Sequence, residues 1–533
     1  MANSYDAVVI GGGHNGLVAA AYLAKYGKKV IVLEARHKVG GATDTMAPWP
    51  ERPDIKVPVL SYSVSLMPDY ILRDLQLTKF GYKVNPLGLG YLPHPDGRSL
   101  LGSSDEKRTY DSYAQFSKKD ADNFGPYYEW IGRIANIMHP LLNRTAPHIS
   151  TKSLRDIKEV GQLVWPLRKE LDERTVGDIT RLFTTSASDL LDRWFESPIV
   201  KGNEAVSGVI GTWAGPKTPG TAYVLMHHSV GEEEEGQVAS WGMPEGGPGA
   251  VADCIRASAE SLGAEVRVSA PVEKVIIKDG RATGVVLEGG EELYAKAVVT
   301  TCHPQITFLR QIDAKDLPDD FVHDIEKWKT RSGTVKINLA LERLPEFTAD
   351  PGFDPEIHSA AIEMLDDIDQ LERSFQDAAA GRAATQPFSD CEIPTVYDRT
   401  LAPEGVHVMS MFSQWVPYQW AKEPHTQELE AYADRLIDRF DLVAPGFKDS
   451  IMFRQIIGPH EMEKEWHLIG GNIFHGELTV DQLLHMRPAV GYADYRSPIR
   501  GLYQASSATH AGGGINGLPA HHAVEAMRKD GAV

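Results

Sequence analysis

The chain has few cysteines, and none of them lie close together in sequence. Among 533 residues only Cys254, Cys302 and Cys391 occur, and no CxxC or similar pair is present. This pattern argues against a redox-active disulfide and a cysteine-rich zinc site, and it is typical of a reducing compartment. The partial match to a zinc motif at residues 460–464 lacks its second histidine, so no metal site is predicted.

Long apolar runs are also missing. No stretch approaches the ~18 consecutive apolar residues of a transmembrane helix. The N-terminus lacks the charged-then-apolar pattern of a secretory signal. We therefore expect a soluble, cytoplasmic protein.

Positive charge is scarce. The chain has 54 Lys and Arg against 73 Asp and Glu, a net charge of −19, and no basic run offsets it. Such a chain should repel nucleic acid phosphates and anionic lipid heads, so we expect no nucleic-acid partner and at most peripheral membrane contact. Hydrophobic residues make up 42% of the sequence, which excludes a disordered chain and allows a large core.

The most informative segment is the N-terminus, which predicts a β-α-β unit. Residues 5–10 form an apolar strand, residues 17–26 an Ala/Leu-rich helix ended by Gly27, and residues 29–33 a second strand. Between the first strand and the helix lies a GxGxxG turn, whose glycines permit a tight turn and close approach to a pyrophosphate. Glu34, at the end of the second strand, is placed to bind a ribose and would repel a 2′-phosphate. The unit therefore predicts a dinucleotide site that disfavours NADP.

Two further features favour FAD over NAD. Arg36 and the Gly40-Gly41 pair directly follow the acidic residue, where small residues let the chain pass close to a ligand. Near the other end, residues 509–517 are glycine-dense, and a helix is predicted to begin near Gly517. Too little chain follows for a second dinucleotide fold there, so no separate NAD(P)H site is predicted and electrons should leave by another route.

The rest of the chain alternates between patterned and mixed regions. A patterned block predicts a helix over 250–262, a strand over 265–268, a hairpin of 272–277 with 282–287, and a strand over 297–301. The mixed regions predict helices over 112–142 and 176–195 and a strand-like run over 406–420. The four-glutamate run at 232–235 is interpreted as an exposed acidic loop. Four side chains of the 406–420 run either pack a sheet or face an apolar substrate: Met409, Met411, Trp415 and Trp420.

The terminal motifs resemble a known family. The loop over residues 11–20 reads GGGHNGLVAA, and the tail combines Arg487-Pro488, Gly501-Leu502-Tyr503 and residues 510–514. Together with residues 243–304, these segments resemble the phytoene-dehydrogenase-like FAD oxidoreductases, and within them the group named pyridine nucleotide-disulfide oxidoreductase domain-containing protein 2. Ala511 and the pair Ser506-Ser507 depart from the usual pattern, and no cysteine pair supports the "disulfide" of that name.

The resemblance implies an α/β fold with two interleaved domains. A Rossmann-type FAD-binding domain, glutathione-reductase-like and of the phytoene desaturase and amine oxidase type, would comprise residues 1–70, 240–306 and 490–533. A mixed α+β substrate domain with a helical insertion would comprise residues 71–239 and 307–489.

The resemblance also implies the residues that hold FAD. In chain order, these residues would contact first the pyrophosphate and the adenosine, then the part of FAD that leads to the flavin, and finally the isoalloxazine ring. The implied cofactor residues are Gly11, Gly13, Asn15, Gly16, Glu34, Ala35, Arg36, Gly40, Gly41, Ala42, Val272, Ile515 and Asn516. His510 is the histidine that the resemblance places near the flavin, and His475 and Arg487 could line the same cavity. For each of these three residues, a purely structural role is the alternative.

The expected function is FAD-dependent dehydrogenation of a largely apolar small molecule by hydride transfer to flavin N5, with oxygen or a quinone as electron acceptor. Two alternatives stay open: a redox-neutral, flavin-dependent polyene isomerase, and a flavin-binding scaffold without turnover. The catalytic base, the substrate's identity and the oligomeric state, including a homo-oligomer, are not determined by the sequence.

Overall fold

A computed structural model describes residues 4–64, 67–147, 149, 153–230 and 241–533, so the four-glutamate run lies outside the described residues. The strands in chain order are β1 Ser4–Ile10, β2 Val30–Leu33, β3 Thr45–Met46, β4 Val57–Pro58, β5 Val84–Pro86, β6 Gly88–Pro93, β7 Ser99–Leu101, β8 Gly242–Pro244, β9 Glu265–Arg267, β10 Val272–Lys278, β11 Arg281–Leu287, β12 Glu292–Thr300, β13 Thr334–Leu341, β14 Ala360–Met364, β15 Phe388–Glu392, β16 His407–Gln414, β17 Ile451–Ile457 and β18 Leu502–Gln504.

The helices follow the same numbering. They are α1 His14–Lys25, α2 Asp69–Asp74, α3 Glu106–Ala114, α4 Lys118–Leu142, α5 Leu154–Val164, α6 Glu173–Thr184, α7 Ala187–Leu191, α8 Pro198–Ala205, α9 Thr221–His228, α10 Gly247–Ser261, α11 Pro304–Leu309, α12 Asp319–Lys327, α13 Pro355–His358, α14 Ile368–Ala379, α15 Thr426–Val443, α16 Pro459–Trp466 and α17 Leu518–Lys529.

The first sheet contains the predicted β-α-β unit. Its order is β10-β11-β12-β1-β2-β9, and β18 pairs with β12. β1 runs parallel to both β2 and β12. Its residues Ala7 and Val9 pack in one buried cluster and Val8 and Ile10 in another, so the strand is covered on both faces, as the continuous hydrophobic run predicts. β10 and β11 form the predicted antiparallel hairpin. The sheet thus joins chain segments that lie almost five hundred residues apart.

Helices cover one face of this sheet and a smaller core covers the other. α1, α10 and α17 contribute to one buried cluster with the sheet, and Gly27 at φ 74° ends α1 as predicted. On the opposite face, β10 to β12 pack with Phe308 and Phe321 of α11 and α12. Residues at the carboxyl ends of β1, β2 and β12 line a cavity that residues of the second sheet also line.

The second sheet has the order β17-β13-β16-β15-β14-β6-β7 and draws its strands from both mixed regions. Its side chains alternate strictly between two faces. One face carries Ile337, Met411 and Ile362, which pack against Tyr432 and Phe440 of α15. Met409 and Met411 therefore pack the sheet and do not face the cavity. The other face carries polar residues and is turned away from α15.

Two of the predicted helices are interrupted. The stretch 112–142 divides into α3 and α4 because Ser117 caps α4 by accepting a hydrogen bond from the Asp120 amide. The stretch 176–195 divides into α6 and α7 at the capping box of Ser186 and Asp189. The strand in 406–420 ends at Gln414, before the aromatic residues that follow. Side-chain caps override the longer helical periodicity at both breaks.

Candidate functional site

A cavity of about 760 Å³ extends from the glycine turn after β1 to the polar face of the second sheet. The predicted cofactor residues that line it are Gly11, Gly13, Asn15, Glu34, Ala35, Arg36, Gly40, Gly41, Ala42, Val272 and Ile515. Gly16 and Asn516 are not among its lining residues. The structure therefore brings most of the predicted set to one continuous space.

The glycines of the turn are required for different reasons. At Gly11, where φ is 97°, a Cβ would lie 2.5 Å from Thr301 Oγ1. At Gly16 a Cβ would lie 1.9 Å from the carbonyl oxygen of Gly11, so this glycine allows α1 to pack closely on β1. A Cβ at Gly13 would meet no protein atom nearer than the Gly40 carbonyl oxygen at 3.9 Å. Space is thus kept free beside Gly13 but not beside Gly16.

Glu34, directly after β2, is hydrogen-bonded to the glycine turn that follows β1. Its carboxylate accepts hydrogen bonds from the amide of Gly12 (2.7 Å) and the amide of Arg36 (2.8 Å). The Arg36 guanidinium donates to Gly41 O (3.2 Å) and to Asp44 Oδ2 (3.0 Å). Both side chains line the cavity in fixed positions, at the end where a nucleotide ribose is predicted.

The glycine-dense tail meets the N-terminal turn at this cavity. Asn15 Nδ2 donates to Ser507 Oγ at 3.4 Å, across 492 residues of sequence. Gly514 and Ile515 line the same space, and α17 begins directly after Gly517, as predicted. Asn516 instead donates to Gly513 O and accepts from the amide of Leu518, the first residue of α17. The side chain of Asn516 is thus occupied in shaping the tail.

Three histidines surround the turn, and His303 is the most deeply buried of them. His14, His303 and His475 all line the cavity, and the rings of His303 and His475 lie 5.6 Å apart. Burial lowers the pKa of His14 and that of His475 to about 4, and that of His303 well below its usual value. All three are therefore neutral near pH 7 and can exchange hydrogen bonds with a bound molecule.

His510 and Arg487, which the sequence suggests as residues near the flavin, hold backbone segments together instead. His510 shares a hydrogen bond with Leu141 O at 3.0 Å, at the C-terminal end of α4. The buried Arg487 guanidinium donates to backbone carbonyls at 3.0 to 3.4 Å, which join the tail to the segment before it. Its carbonyl partners belong to Phe474, Glu477, Gln482, Ser507 and Thr509. Neither His510 nor Arg487 lines the cavity.

A cluster of ionisable side chains on the second sheet was not predicted from the sequence. Lys336 on β13, Glu363 on β14 and Asp390 and Glu392 on β15 all line the cavity. Glu363 is directly opposite Asp390 in the register, and β16 lies between β15 and β13. The signal was present, since Lys336 and the pair at 390 and 392 interrupt apolar strands at alternate positions. Only the register of the sheet reveals that they share one face.

The contacts of this cluster leave much of its polar surface free. Tyr62 donates to Asp390 Oδ2 at 2.8 Å. The Lys336 ammonium contacts Ser410 Oγ and lies 4.2 Å from the centre of the Tyr62 ring. Burial lowers the pKa of Lys336 to about 7 and raises that of Asp390 to about 6. Burial also raises the pKa values of Glu363 and Glu392 well above their usual range.

The remaining walls are mostly apolar. Ile131, Val206 and Ile210 from the helical region line it together with Phe412 and Phe474. Leu89 also lines the cavity and is 71% exposed. Glu204 of α8 accepts hydrogen bonds from the hydroxyls of Tyr113 and Tyr128. His227 and His228 of α9 also line this part. The space beyond the turn can thus accept an apolar body beside a polar wall.

Membrane spans and metal centres are both absent from the described residues. In that part of the chain, no helix combines the length and the apolarity needed to cross a membrane. The same residues contain no group of three or more His, Cys, Asp or Glu side chains arranged to hold a metal ion. All three cysteines are free.

Two protein-family models match this chain. Residues 9–69 match the model of the NAD(P)-binding Rossmann-like domain. Residues 211–517, more than half of the chain, match the model of the flavin containing amine oxidoreductases. These matches confirm the predicted Rossmann-type, amine oxidase-like α/β fold and its flavin.

Individual relatives agree with the family models. Pyridine nucleotide-disulfide oxidoreductase domain-containing protein 2 of Rattus norvegicus is 39% identical, over 99% of this chain and 94% of its own. The chloroplastic prolycopene isomerase 1 of an Oncidium hybrid cultivar is 25% identical, over 86% of this chain and 73% of its own. A structure of putrescine oxidase bound to putrescine superposes with a TM-score of 0.60 at 16% identity, covering 99% of this chain and 98% of the other. This last likeness shows the fold alone.

The cavity itself fits the flavin dinucleotide that the matched family binds. The free space beside Gly13 is what a pyrophosphate needs, and Asn15 Oδ1 and His14 Nε2 are buried there without a partner among the described residues. The chain therefore belongs to the flavin-containing amine oxidoreductase family, in its phytoene-dehydrogenase-like branch, and is an FAD-dependent oxidoreductase.

Proposed function

We propose that this oxidoreductase dehydrogenates a largely apolar small molecule by passing a hydride to N5 of FAD. The observation that carries the proposal is the single continuous cavity, which joins the dinucleotide turn to the apolar walls formed by the helical region and the second sheet. A substrate resting on those walls would share one enclosed space with the cofactor. Such proximity is the main contribution that a protein makes to flavin chemistry.

The cofactor roles assigned from the sequence are part of this proposal. Gly11 and Gly13 would admit the pyrophosphate, and Glu34 and Arg36 would fix the adenosine side. The Gly40 to Ala42 segment and Ile515 would border the flavin, and Val272 would contact adenine. Gly16 and Asn516 would act indirectly, by packing α1 and by shaping the tail. When bound, the flavin supplies a two-electron acceptor.

The chain's own residues would orient the substrate and exclude water. Ile131, Ile210 and Phe474 offer apolar contact, and burying a substrate against them is favourable by about 25 cal/mol per Å² of apolar surface. Lys336 would be at least partly neutral near pH 7, since burial lowers its pKa to about 7. The amine of a partly neutral lysine can accept a proton during oxidation.

Two further parts of the proposal concern electron flow and domain organisation. We propose oxygen or a quinone as the electron acceptor, because the chain carries one dinucleotide fingerprint and no second one for NAD(P)H. We also propose that residues 1–70, 240–306 and 490–533 form the FAD domain, and that residues 71–239 and 307–489 form the substrate domain. Limited proteolysis with and without FAD would test these boundaries.

The decisive experiment is anaerobic reduction of the purified flavoprotein. Unsaturated and saturated hydrocarbons are added in turn, and the flavin absorbance is followed while products are analysed by mass spectrometry. We expect bleaching with a product two hydrogens lighter than its substrate. A product of unchanged mass would instead establish the isomerase alternative. A flavin that no substrate bleaches, and that neither oxygen nor a quinone reoxidises after photoreduction, would establish the scaffold alternative.

A further inference from the structure

The polar face of the second sheet gives the cavity a wall that carries three carboxyl groups. Glu363 lies opposite Asp390 in the register, and Phe412 lies opposite both Asp390 and Lys336. Residues that are directly opposite share a face, so these four form one row across four neighbouring strands. Glu392, two residues after Asp390 on β15, lies on the same face. All five residues line the cavity, so a phenyl ring lies within the polar wall.

Two of the three carboxyls are uncharged near pH 7. Glu392 is 2% exposed, and Lys336 Nζ contacts Ser410 Oγ and forms no ion pair in the described part of the chain. A buried carboxylate without a charged partner is unfavourable. Burial accordingly raises the pKa values of Glu363 and Glu392 well above their usual range, whereas it raises the pKa of Asp390 to about 6. The wall therefore presents O–H donors on the two glutamates and an acceptor on Asp390.

Each of these carboxyls also has one oxygen without a partner. Asp390 Oδ2 accepts a hydrogen bond from the Tyr62 hydroxyl at 2.8 Å, but Asp390 Oδ1 has no hydrogen-bond partner among the described residues. Glu363 Oε2 and Glu392 Oε2 are in the same condition. Buried polar atoms are almost always hydrogen-bonded, so three such oxygens on one cavity wall mark the place of a missing ligand group.

A hydroxyl group matches this wall better than an ion does. Its oxygen accepts a hydrogen bond from a protonated carboxyl, and it donates its own hydrogen to Asp390 Oδ1. An ammonium group only donates, so it would leave the O–H groups of Glu363 and Glu392 unpaired. A carboxylate only accepts, and Asp390 would repel it. Either ion would also carry a net charge into a buried site, which is unfavourable.

We propose that the substrate is an uncharged amphiphile whose hydroxyl group is bound by Glu363, Asp390 and Glu392. Its apolar body lies against Phe412 and Ile131, which line the same cavity. This inference rests on the proposed function, because it places the substrate in the space that the flavin shares. It refines the expected apolar substrate by adding one uncharged polar end.

The test follows ligands that share one chain and differ at one end. The flavoprotein is titrated anaerobically with 1-octanol and with 1-chlorooctane, which lacks the hydroxyl, and binding is measured from the flavin spectrum and the thermal unfolding midpoint. n-Octylammonium and octanoate are titrated in the same way. We expect both ions to bind less tightly than octanol. Undetectable binding of octanol, or tighter binding of either ion, would overturn the proposal.

Variants assign the effect to the carboxyl wall. The quantity compared is the dissociation constant of octanol divided by that of chlorooctane, because transfer of the shared chain from water cancels between variants. Glu392→Met, which is similar in size but cannot donate an O–H, should raise this ratio about fivefold, the effect of one hydrogen bond. Glu392→Gln keeps an uncharged donor and acceptor and should leave the ratio within about twofold.

Controls make these results decisive. Glu342→Met, at a carboxyl that is 56% exposed, should not change the ratio. If Glu392→Met fails to fold, Glu363→Met serves in its place. An unchanged ratio in the folded methionine variant would contradict the hydroxyl site. A loss in Glu392→Gln as large as that in Glu392→Met would also contradict it, because a charged carboxylate would then be required.

The outcome is separable from that of the proposed function. A ratio that depends on Glu392, without bleaching of the flavin by any compound, would retain the hydroxyl site and remove the dehydrogenase. Bleaching by hydrocarbons together with an unchanged ratio would do the reverse.

Discussion

The contrast between Gly13 and Gly16 allows cofactor binding to be separated from folding. The two glycines lie in the same turn, three residues apart. A Cβ at Gly13 would meet no protein atom closer than 3.9 Å, whereas a Cβ at Gly16 would lie 1.9 Å from the backbone oxygen of Gly11. We therefore expect Gly13→Ala to affect FAD and Gly16→Ala to affect the fold.

The magnitudes follow from these distances. Gly13 has φ −66°, which alanine adopts without strain, and replacing a glycine N-cap by alanine costs about 1 kcal/mol or less. The new methyl group would enter the space left for the pyrophosphate, and overpacking of this kind costs about 1–3 kcal/mol. The FAD dissociation constant should therefore rise about 5- to 150-fold. In Gly16→Ala, α1 must move away from β1, so the free energy of unfolding of the apoprotein should fall by about 3 kcal/mol or more.

The assay uses apoprotein from which FAD has been removed. Urea unfolding followed by circular dichroism gives the free energy of unfolding, and quenching of flavin fluorescence gives the dissociation constant. Gly125→Ala serves as the surface control, because Gly125 is an exposed residue of α4 and a Cβ there would meet no atom within 4 Å. The reasoning is refuted if Gly13→Ala binds FAD as tightly as the unmodified chain, or if it destabilises the apoprotein as much as Gly16→Ala does.

Three further predictions concern buried polar groups. Glu34→Ala should destabilise the apoprotein by about 1–3 kcal/mol and weaken FAD binding, because the amides of Gly12 and Arg36 lose their acceptor. Glu34→Gln should recover part of the lost stability. Equal urea midpoints for Glu34→Ala and the unmodified chain would contradict this prediction. Arg487→Met should lower the free energy of unfolding by about 3 kcal/mol or more, since several buried carbonyls lose their donor. Proteolysis of the tail near Ser507 should increase in parallel. An unchanged cleavage pattern would argue against a role for Arg487 in holding the tail. As pH rises from about 4 to about 6, the unfolding midpoint of Asp390→Asn should rise relative to that of the unmodified apoprotein. Burial raises the pKa of the Asp390 carboxyl from 3.8 to about 6, so ionisation of this carboxyl opposes folding of the unmodified chain increasingly over that range. A difference in unfolding midpoint that does not depend on pH would refute that assignment.

The sequence by itself determined the dinucleotide half of the site. The strand, the glycine turn, the helix and the acidic residue lie within about 30 residues, and hydrophobic periodicity and turn chemistry act over that range. For the same reason the hairpin of β10 and β11 and the start of α17 were predicted correctly. The breaks at Ser117 and Ser186 were missed because a capping side chain leaves the surrounding helical period unchanged.

Only the tertiary structure decided the polar wall that the second sheet contributes to the cavity. Lys336, Glu363 and the pair Asp390 and Glu392 come from three strands, β13, β14 and β15, and only the register of the second sheet shows that the three strands contribute to one wall. The same holds for Arg487, whose carbonyl partners are brought together by the folding of two loops. Local patterns encode strands and turns, whereas the convergence of side chains depends on which strands pair, and a one-residue change of register would turn every one of these carboxyls to the opposite face.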